Sequence, residues 1–520
     1  MSIIAHTRRL AGHCRRDDGF TLIVALGVML VTSLLLVAAF TTANGNIHLS
    51  HDDLTQKQAY YAALAGVQEY EYQLQADPDY WETCAEPSGT LTEAKESYQI
   101  TLLPASTAPE KTAKCSAANP FATMIESKAP LVNTFRIRST GRAGTNTRSV
   151  IATFQVAGFL DYIYFTQYEV QDPEAYKGGN PKCANYRKQR EALGILNACG
   201  TIVFGPEDTV NGPMHTDDAA VVCGGAEFGR LKHEPPDSIE MNGGAISGGC
   251  GSGNATYNTS TGGPITGPEL EAPESDGSLR DYVEHSPEYS QENELTGLTH
   301  LVLEGSSNQI KVEQDKGKIK RTMEWPKNGL IYVQSNGSGC SYKYEQENAD
   351  TKQTLLEEEN CGSVYVSGNY SKPLTIAAEV DLIVNGNLTP TGVTPPAGPG
   401  STSTSTLGLI ATRFVRVYHP CENGKNGSES LKNLWIYGAI LSTSHSFVVD
   451  NYNCGSPLGE LSIVGAVAQK FRGIVGLVGT SGYVKEYIYD ERLATDEPPY
   501  FLAPLKAGWR IVRETDSGAG

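Results

Sequence analysis

Residues Phe20 to Phe40 read FTLIVALGVMLVTSLLLVAAF, 21 residues without a charge. No other feature limits the chain as strongly. Coiled as a helix, the run is about 31 Å long, which matches a bilayer hydrocarbon core of about 30 Å. Arg8, Arg9, Arg15 and Arg16 precede it, and Asp52 and Asp53 are the first charges after it. Basic residues stay on the cytoplasmic side, so the following residues are expected outside. The run exceeds the apolar core of a cleaved secretory signal, about 7 to 15 residues, although Thr41-Thr42-Ala43 is a tolerable cleavage site. A lipoprotein needs a Cys after the apolar run, and Cys14 stands before it.

The apolar helix is expected to continue. Tyr60, Leu64, Val67 and Leu74 recur on one helical face. Asp77-Pro78 is the expected stop, because the residue before a proline avoids the helical region. Further on, SYQITLLP, TFRIRSTGRAG and TRSVIATFQVAGF read as strands, with a hairpin at Gly144-Thr145-Asn146.

From about residue 166 short strand patterns recur: GTIVFG, HLVLEG, GLIYVQS, GSVYVSG, LTIAAEVDLIVNG, LGLIATRFVRVY, LWIYGAIL, SFVVD and LSIVGAVAQ. Asn-Gly steps separate many of them, and both residues accept tight corners. Strands of this length with such corners suit a β-solenoid, with a β-sandwich as the alternative. No fixed repeat length is visible. PPAGPG followed by STSTST, residues 401–406, reads as a surface loop or linker.

The net charge is −18, and because the first 19 residues carry +2, the remainder carries −20. Binding to phosphate backbones needs the opposite sign, so nucleic acid is not an expected partner. Beyond the leader lie ten cysteines, an even number suited to disulfides in an oxidising compartment. Sequence leaves connectivity open. Pairing neighbours in order would join Cys84 with Cys115, Cys183 with Cys199, Cys223 with Cys250, Cys340 with Cys361, and Cys421 with Cys454. There is no Cys-x-x-Cys, no phosphate-binding glycine loop, no His-Glu-x-x-His and no Gly-x-Ser-x-Gly. His215, Asp217 and Asp218 are the one cluster able to hold a cation. They follow Asn211-Gly212-Pro213, so the more ordinary reading is a turn capped by side-chain to backbone bonds. No metal and no cofactor is expected.

Residues Arg15 to Ile23, RRDDGFTLI, resemble a class III prepilin cleavage site, and QKQAYYAALAGVQEYEYQL resembles the second half of a PilX-like minor-pilin helix. The resemblance to type IV minor pilins and pseudopilins implies cutting by a prepilin peptidase between Gly19 and Phe20. It also implies an N-terminal helix packed among other pilin subunits. The family places a glutamate at the fifth mature position; here that position is Val24. Members without it are proposed to sit at the filament tip.

These readings together give an α+β chain. Residues 1–19 form a prepilin leader, and 20–78 a long helix whose transmembrane part is 20–40. Residues 79–165 form a small pilin-like antiparallel head, and 166–515 a large all-β distal domain. The expected role is a non-enzymatic minor pilin-like subunit, anchored in the cytoplasmic membrane of a bacterium with its N-terminus inside. It would display the β-domain on the cell surface or filament for assembly priming or adhesion. A surface glycan or host ligand stays open as an external partner. The alternative is a membrane-anchored extracytoplasmic β-helix enzyme acting on polysaccharide, which needs convergent carboxylates in one groove.

Overall fold

The computed structural model describes residues 20–77, 79–91, 96–105, 114–115, 124–125, 134–176, 178–285, 294–337, 340–341, 343–347, 359–397, 405–477, 479–494, 496–505 and 508–518. It is an α+β molecule, with one long apolar N-terminal helix and mostly β structure beyond it.

Helix α1, Phe20–Ala76, has 57 residues and is about 86 Å long. Leu22–Thr42 is long and apolar enough to cross a membrane, and none of it is buried within the molecule. The second half is different. Ala59, Ala62, Ala63, Val67, Tyr70 and Leu74 are fully buried, while Tyr60 and Leu64 pack at the edge of the same cluster. The expected face is therefore present, with Tyr70 added at its centre.

That face lies on a five-stranded antiparallel sheet. Its strands are β1 (Ser88–Thr90), β2 (Ser97–Leu103), β3 (Thr134–Ala143), β4 (Asn146–Val156) and, on the far edge, the last strand Trp509–Gly518. Strands β3 and β4 turn at Gly144-Thr145, where Gly144 has φ +59°. Phe135 stacks on Phe154 at 5.2 Å and meets Trp509 edge-on at 4.8 Å. Gly141 lets the helix seat. A Cβ there would lie 2.0 Å from the Ala59 carbonyl oxygen and 2.4 Å from the Ala63 nitrogen.

The last strand corrects the expected domain limits. Trp509 pairs with Val156, and Thr515 with Ile151. Residues 509–515 thus belong to the head sheet, not to a distal domain ending at 515. Conversely, β5 (Tyr164–Tyr168) already belongs to the large sheet, so the limit at residue 165 falls within a strand. The β-rich region is inserted between two adjacent strands of the head.

Within the inserted region the main ladders are parallel. Leu330–Gln334, Leu374–Ala378, Leu407–Ala411, Leu434–Ser442 and Pro457–Phe471 pair in that order. A second row runs Thr299–Glu304, Val364–Tyr370, Leu382–Pro390, Val415–Val417 and Phe447–Val449. Register is strict, so side chains at equivalent positions stack. Ile331, Ile376, Leu409, Ile440, Val467 and Tyr164 form one such inward row.

The order of the rows is not the order of the chain. Strand β5 pairs with Pro457–Phe471, and Thr209–Asn211 pairs with Ser481–Tyr489. The chain thus enters the stack part-way along. It winds outward to Ile239–Met241 and Thr256–Tyr257, then resumes from the other end. Residues 270–276 run back along the outside: the Leu270 N–H donates to Asp217, Ser444 donates to the Glu274 carbonyl, and Thr412 donates to Asp276 at 2.8 Å. Leu270, Ala272, Leu279 and Val283 cover the outward row Phe165, Ala468, Leu441, Ile410, Ala377 and Tyr332. At the far end Thr299–Glu304, Gln309–Gln314 and Ile319–Glu324 form an antiparallel meander.

Disulfides join Cys84 to Cys115, Cys183 to Cys199, Cys223 to Cys250, Cys340 to Cys361, and Cys421 to Cys454. Each joins neighbours in sequence, so each closes a local loop.

Candidate functional site

The most exposed apolar surface is the first half of α1. Leu22, Leu30, Leu36 and Phe40 are 68%, 63%, 70% and 71% exposed. Such a surface is costly to leave in water and has the length and composition of a membrane-crossing segment or a signal sequence. Gly19 lies outside the described residues. Phe20 is described only as the first helical residue, so the expected cut between them has no side-chain geometry. Val24 sits on the exposed apolar surface.

The His215 cluster is internal. His215 lies on Met214–Thr216 and is fully buried. One ring nitrogen bonds Asp217 at 2.9 Å and the other bonds Glu240 at 2.7 Å. Glu240 also accepts from Tyr162 at 2.9 Å and Ser238 at 2.7 Å. Burial alone would push the imidazole pKa down, but the two carboxylate bonds outweigh it and raise it to about 8. Burial would raise Glu240; the bonds from His215, Ser238 and Tyr162 hold it below its ordinary value. Asp217 goes the other way, because burial dominates over its bond to His215.

Asp218 faces different partners. It accepts from Arg190 at 2.8 Å and from the Arg187 and Glu169 backbone N–H groups at 2.7 and 3.1 Å. Apart from the bond between Asp217 and His215, the carboxylates of Asp217 and Asp218 bond to residues of other segments rather than capping the turn at 211–213, which corrects the turn-cap reading. No group of three or more His, Cys, Asp and Glu able to hold a metal occurs among the described residues.

Where the two chain segments of the stack meet, buried ion pairs concentrate. Arg472 bonds Glu169 at 2.8 Å and the carbonyls of Ile202 and Val203, and its guanidinium lies 3.6 Å from the centre of the Phe204 ring. Lys485 bonds Asp208 at 2.8 Å. Burial lowers the Lys485 ammonium despite that partner. For Asp208 the balance reverses: burial raises it, yet Lys485, the Gly205 N–H and Arg472 hold it low. On Val415–Val417, Arg416 reaches Asp381 at 3.2 Å and Asp450 at 3.0 Å. Sequence reading missed these residues. Arg416 did carry a signal, as the lone charge in the otherwise apolar FVRVY. Arg472 and Lys485 carried none, since their partners are remote in sequence.

No family model matches the chain, and no curated protein matches it. Among solved structures, the crystal structure of the competence-associated pilin ComZ from Thermus thermophilus aligns with 90% of this chain and 98% of that one, at 11% identity and a TM-score of 0.24. At that score the likeness bears on neither the fold nor the function.

Proposed function

We propose that the chain is a large, non-enzymatic minor-pilin-like subunit of a type IV pilus or related filament. The observation that carries this reading is the division of α1. Its first half offers an uncovered apolar surface of membrane length, and its second half is the core of a small antiparallel sheet. A helix built this way has two stable surroundings, a bilayer before assembly and a bundle of like helices after it. The RRDDGFTLI leader supplies the step between them, peptidase cutting after Gly19. The arginines keep the N-terminus in the cytoplasm, and the five disulfides fit an oxidising space beyond the membrane.

The inserted region is read as a β-solenoid. Parallel rung-on-rung pairing with like positions stacked supports that reading over a sandwich of antiparallel sheets. With Val24 where the family's glutamate stands, the subunit is assigned to the tip, where the solenoid is presented for assembly priming or for adhesion to a glycan or host ligand.

The test is the mature N-terminus of the protein from its own host, by mass spectrometry, beside a Gly19→Leu variant. The reading expects Phe20 as the first residue, methylated, and an uncut, unassembled variant. A soluble monomer starting at residue 44, or normal filaments from the variant, would overturn it.

A further inference from the structure

The outward face of the head sheet is basic in an otherwise acidic molecule. Residues 157–508 hold 43 Asp and Glu against 26 Lys and Arg. On the head face the balance reverses. Strand register places Thr90, Ser97 and Arg142 side by side on β1, β2 and β3, with Ser88, Gln99 and Thr140 in the next row. Two further rows carry Arg138 beside Thr101, and Arg136 beside Thr153, which in turn pairs with Arg513. The alternate residues Ile137, Ser139 and Gly141 are buried on the α1 side. No Asp or Glu occupies an outward position in these rows.

A recess of about 690 Å³ lies over the first two rows, lined by those six residues. Tyr98 and Gly89, of the alternate set, complete it, so Arg142 is its one charged lining residue among the described residues. Arg142, Arg138 and Arg513 are exposed, and among the described residues none of the three has a hydrogen bond or ion pair. Arg136 is half-buried and donates to the Pro104 carbonyl at 3.4 Å. Glu86 and Glu96 are close in sequence but do not line the recess, and the Glu86 carboxylate accepts the Leu102 N–H at 3.0 Å.

Each part of this arrangement selects a ligand property. The hydroxyls of Ser88, Thr90, Ser97 and Thr140 and the amide of Gln99 suit a hydroxyl-bearing body. An apolar ligand would strip their water without replacing it. The guanidinium fork suits a carboxylate, which it holds by two parallel bonds. Along β3, Arg138 lies about 14 Å from Arg142, and Arg136 about 7 Å further on. A chain of recurring carboxylates therefore meets a cation at intervals. A single nucleic-acid strand needs aromatic platforms for its bases, and no aromatic residue holds an outward position in these rows. Salt screens charges beyond about 8 Å under physiological conditions, so the acidic inserted region does not cancel contacts made on this face.

We propose that this recess binds an acidic polysaccharide, with Arg142 on the carboxylate of one uronic-acid unit and Arg138 taking a later one. The site lies on the head, and it rests neither on the filament reading nor on the part the solenoid plays in it.

The experiment uses the full chain in phosphatidylcholine nanodiscs, whose headgroups carry no net charge, with empty nanodiscs subtracted. Hexagalacturonate, a hyaluronate hexasaccharide, maltohexaose, hexaglutamate and a short DNA duplex are titrated by calorimetry. At least one uronate oligomer is expected to bind about tenfold or more tightly than both maltohexaose and hexaglutamate. Arg142→Gln should weaken that oligomer about tenfold, and Arg138→Gln severalfold. Lys182→Gln, which removes an exposed charge from the inserted region, should leave it unchanged. All three positions are exposed, so unchanged melting temperatures report an intact fold. No uronate binding up to about 10 mM, equal binding of hexaglutamate, or an Arg142→Gln variant that binds like the parent would overturn the proposal. Tighter binding of the duplex than of either uronate oligomer, lost in the same arginine variants, would overturn it in favour of nucleic acid.

Discussion

Val156 and Trp509 face each other as register partners, one at the end of β4 and the other at the start of the last strand, with the whole β-rich insertion between them. The Ala157 N–H, one residue on, donates to the Gly508 carbonyl at 2.9 Å. The insertion therefore leaves and rejoins the head at one point. The indole of Trp509 closes the head core against Phe135 and Trp81.

Gly141 should be intolerant of any side chain. The obstructing atoms are helix backbone, which cannot rotate away. Gly141→Ala is expected to lower head stability by about 1 to 3 kcal/mol, the usual range for overpacking. Thermal unfolding of the parent and variant checks this. Gly27→Ala, on the uncovered half of α1 with open space around it, should leave the melting temperature unchanged.

Removing one partner of the Arg472–Glu169 pair leaves an uncompensated buried charge. Glu169→Gln is expected to destabilise by about 3 to 5 kcal/mol. Replacing both, as Glu169→Leu with Arg472→Met, should recover most of that loss, because two buried charges leave together. Denaturant midpoints of the parent and the two variants would show it; equal losses for single and double changes would contradict it.

His215 makes stability depend on alkaline pH. Its folded value, about 8, lies above the unfolded value of 6.5. The folded state thus binds the proton more tightly, and its contribution is complete below about pH 6.5 and lost as pH rises through 8. The loss is about 2 kcal/mol. Melting curves at pH 6 and pH 9 should differ more for the parent than for His215→Gln.

The Cys183–Cys199 bridge closes a loop with a sequence separation of 16. Replacing both cysteines with serine is expected to cost about 3 kcal/mol. Reductant should lower the melting temperature of the parent further than that of the variant, since the variant has already lost this bridge.

Much of the local structure was legible in the sequence. The apolar run, the Val67 and Leu74 face and the Gly144-Thr145 turn depend on neighbours a few residues away, and that is where composition and periodicity speak. The strands LTIAAEVDLIVNG and LWIYGAIL were readable for the same reason, because each is an apolar run bounded by turn residues. Topology was not legible. Nothing in WRIVRET marks a partner in TRSVIATFQV, and nothing in β5 shows that it enters the stack beside Pro457–Phe471. Pairing between remote segments is written in shape and charge at a seam, as with Glu169 and Arg472, and one chain read in order does not display it. His215, Asp217 and Asp218 are instructive in another way: their spacing suggested a surface turn or a cation, whereas burial makes them an internal network around Glu240.

The insertion at Val156 and Trp509 also governs how the molecule carries tension. A pull on the outlying β-rich region reaches the head through two chains side by side rather than one. It is delivered along the length of two hydrogen-bonded strands that the aromatic cluster clamps to α1. Rupture then requires many bonds to shear at once instead of opening singly.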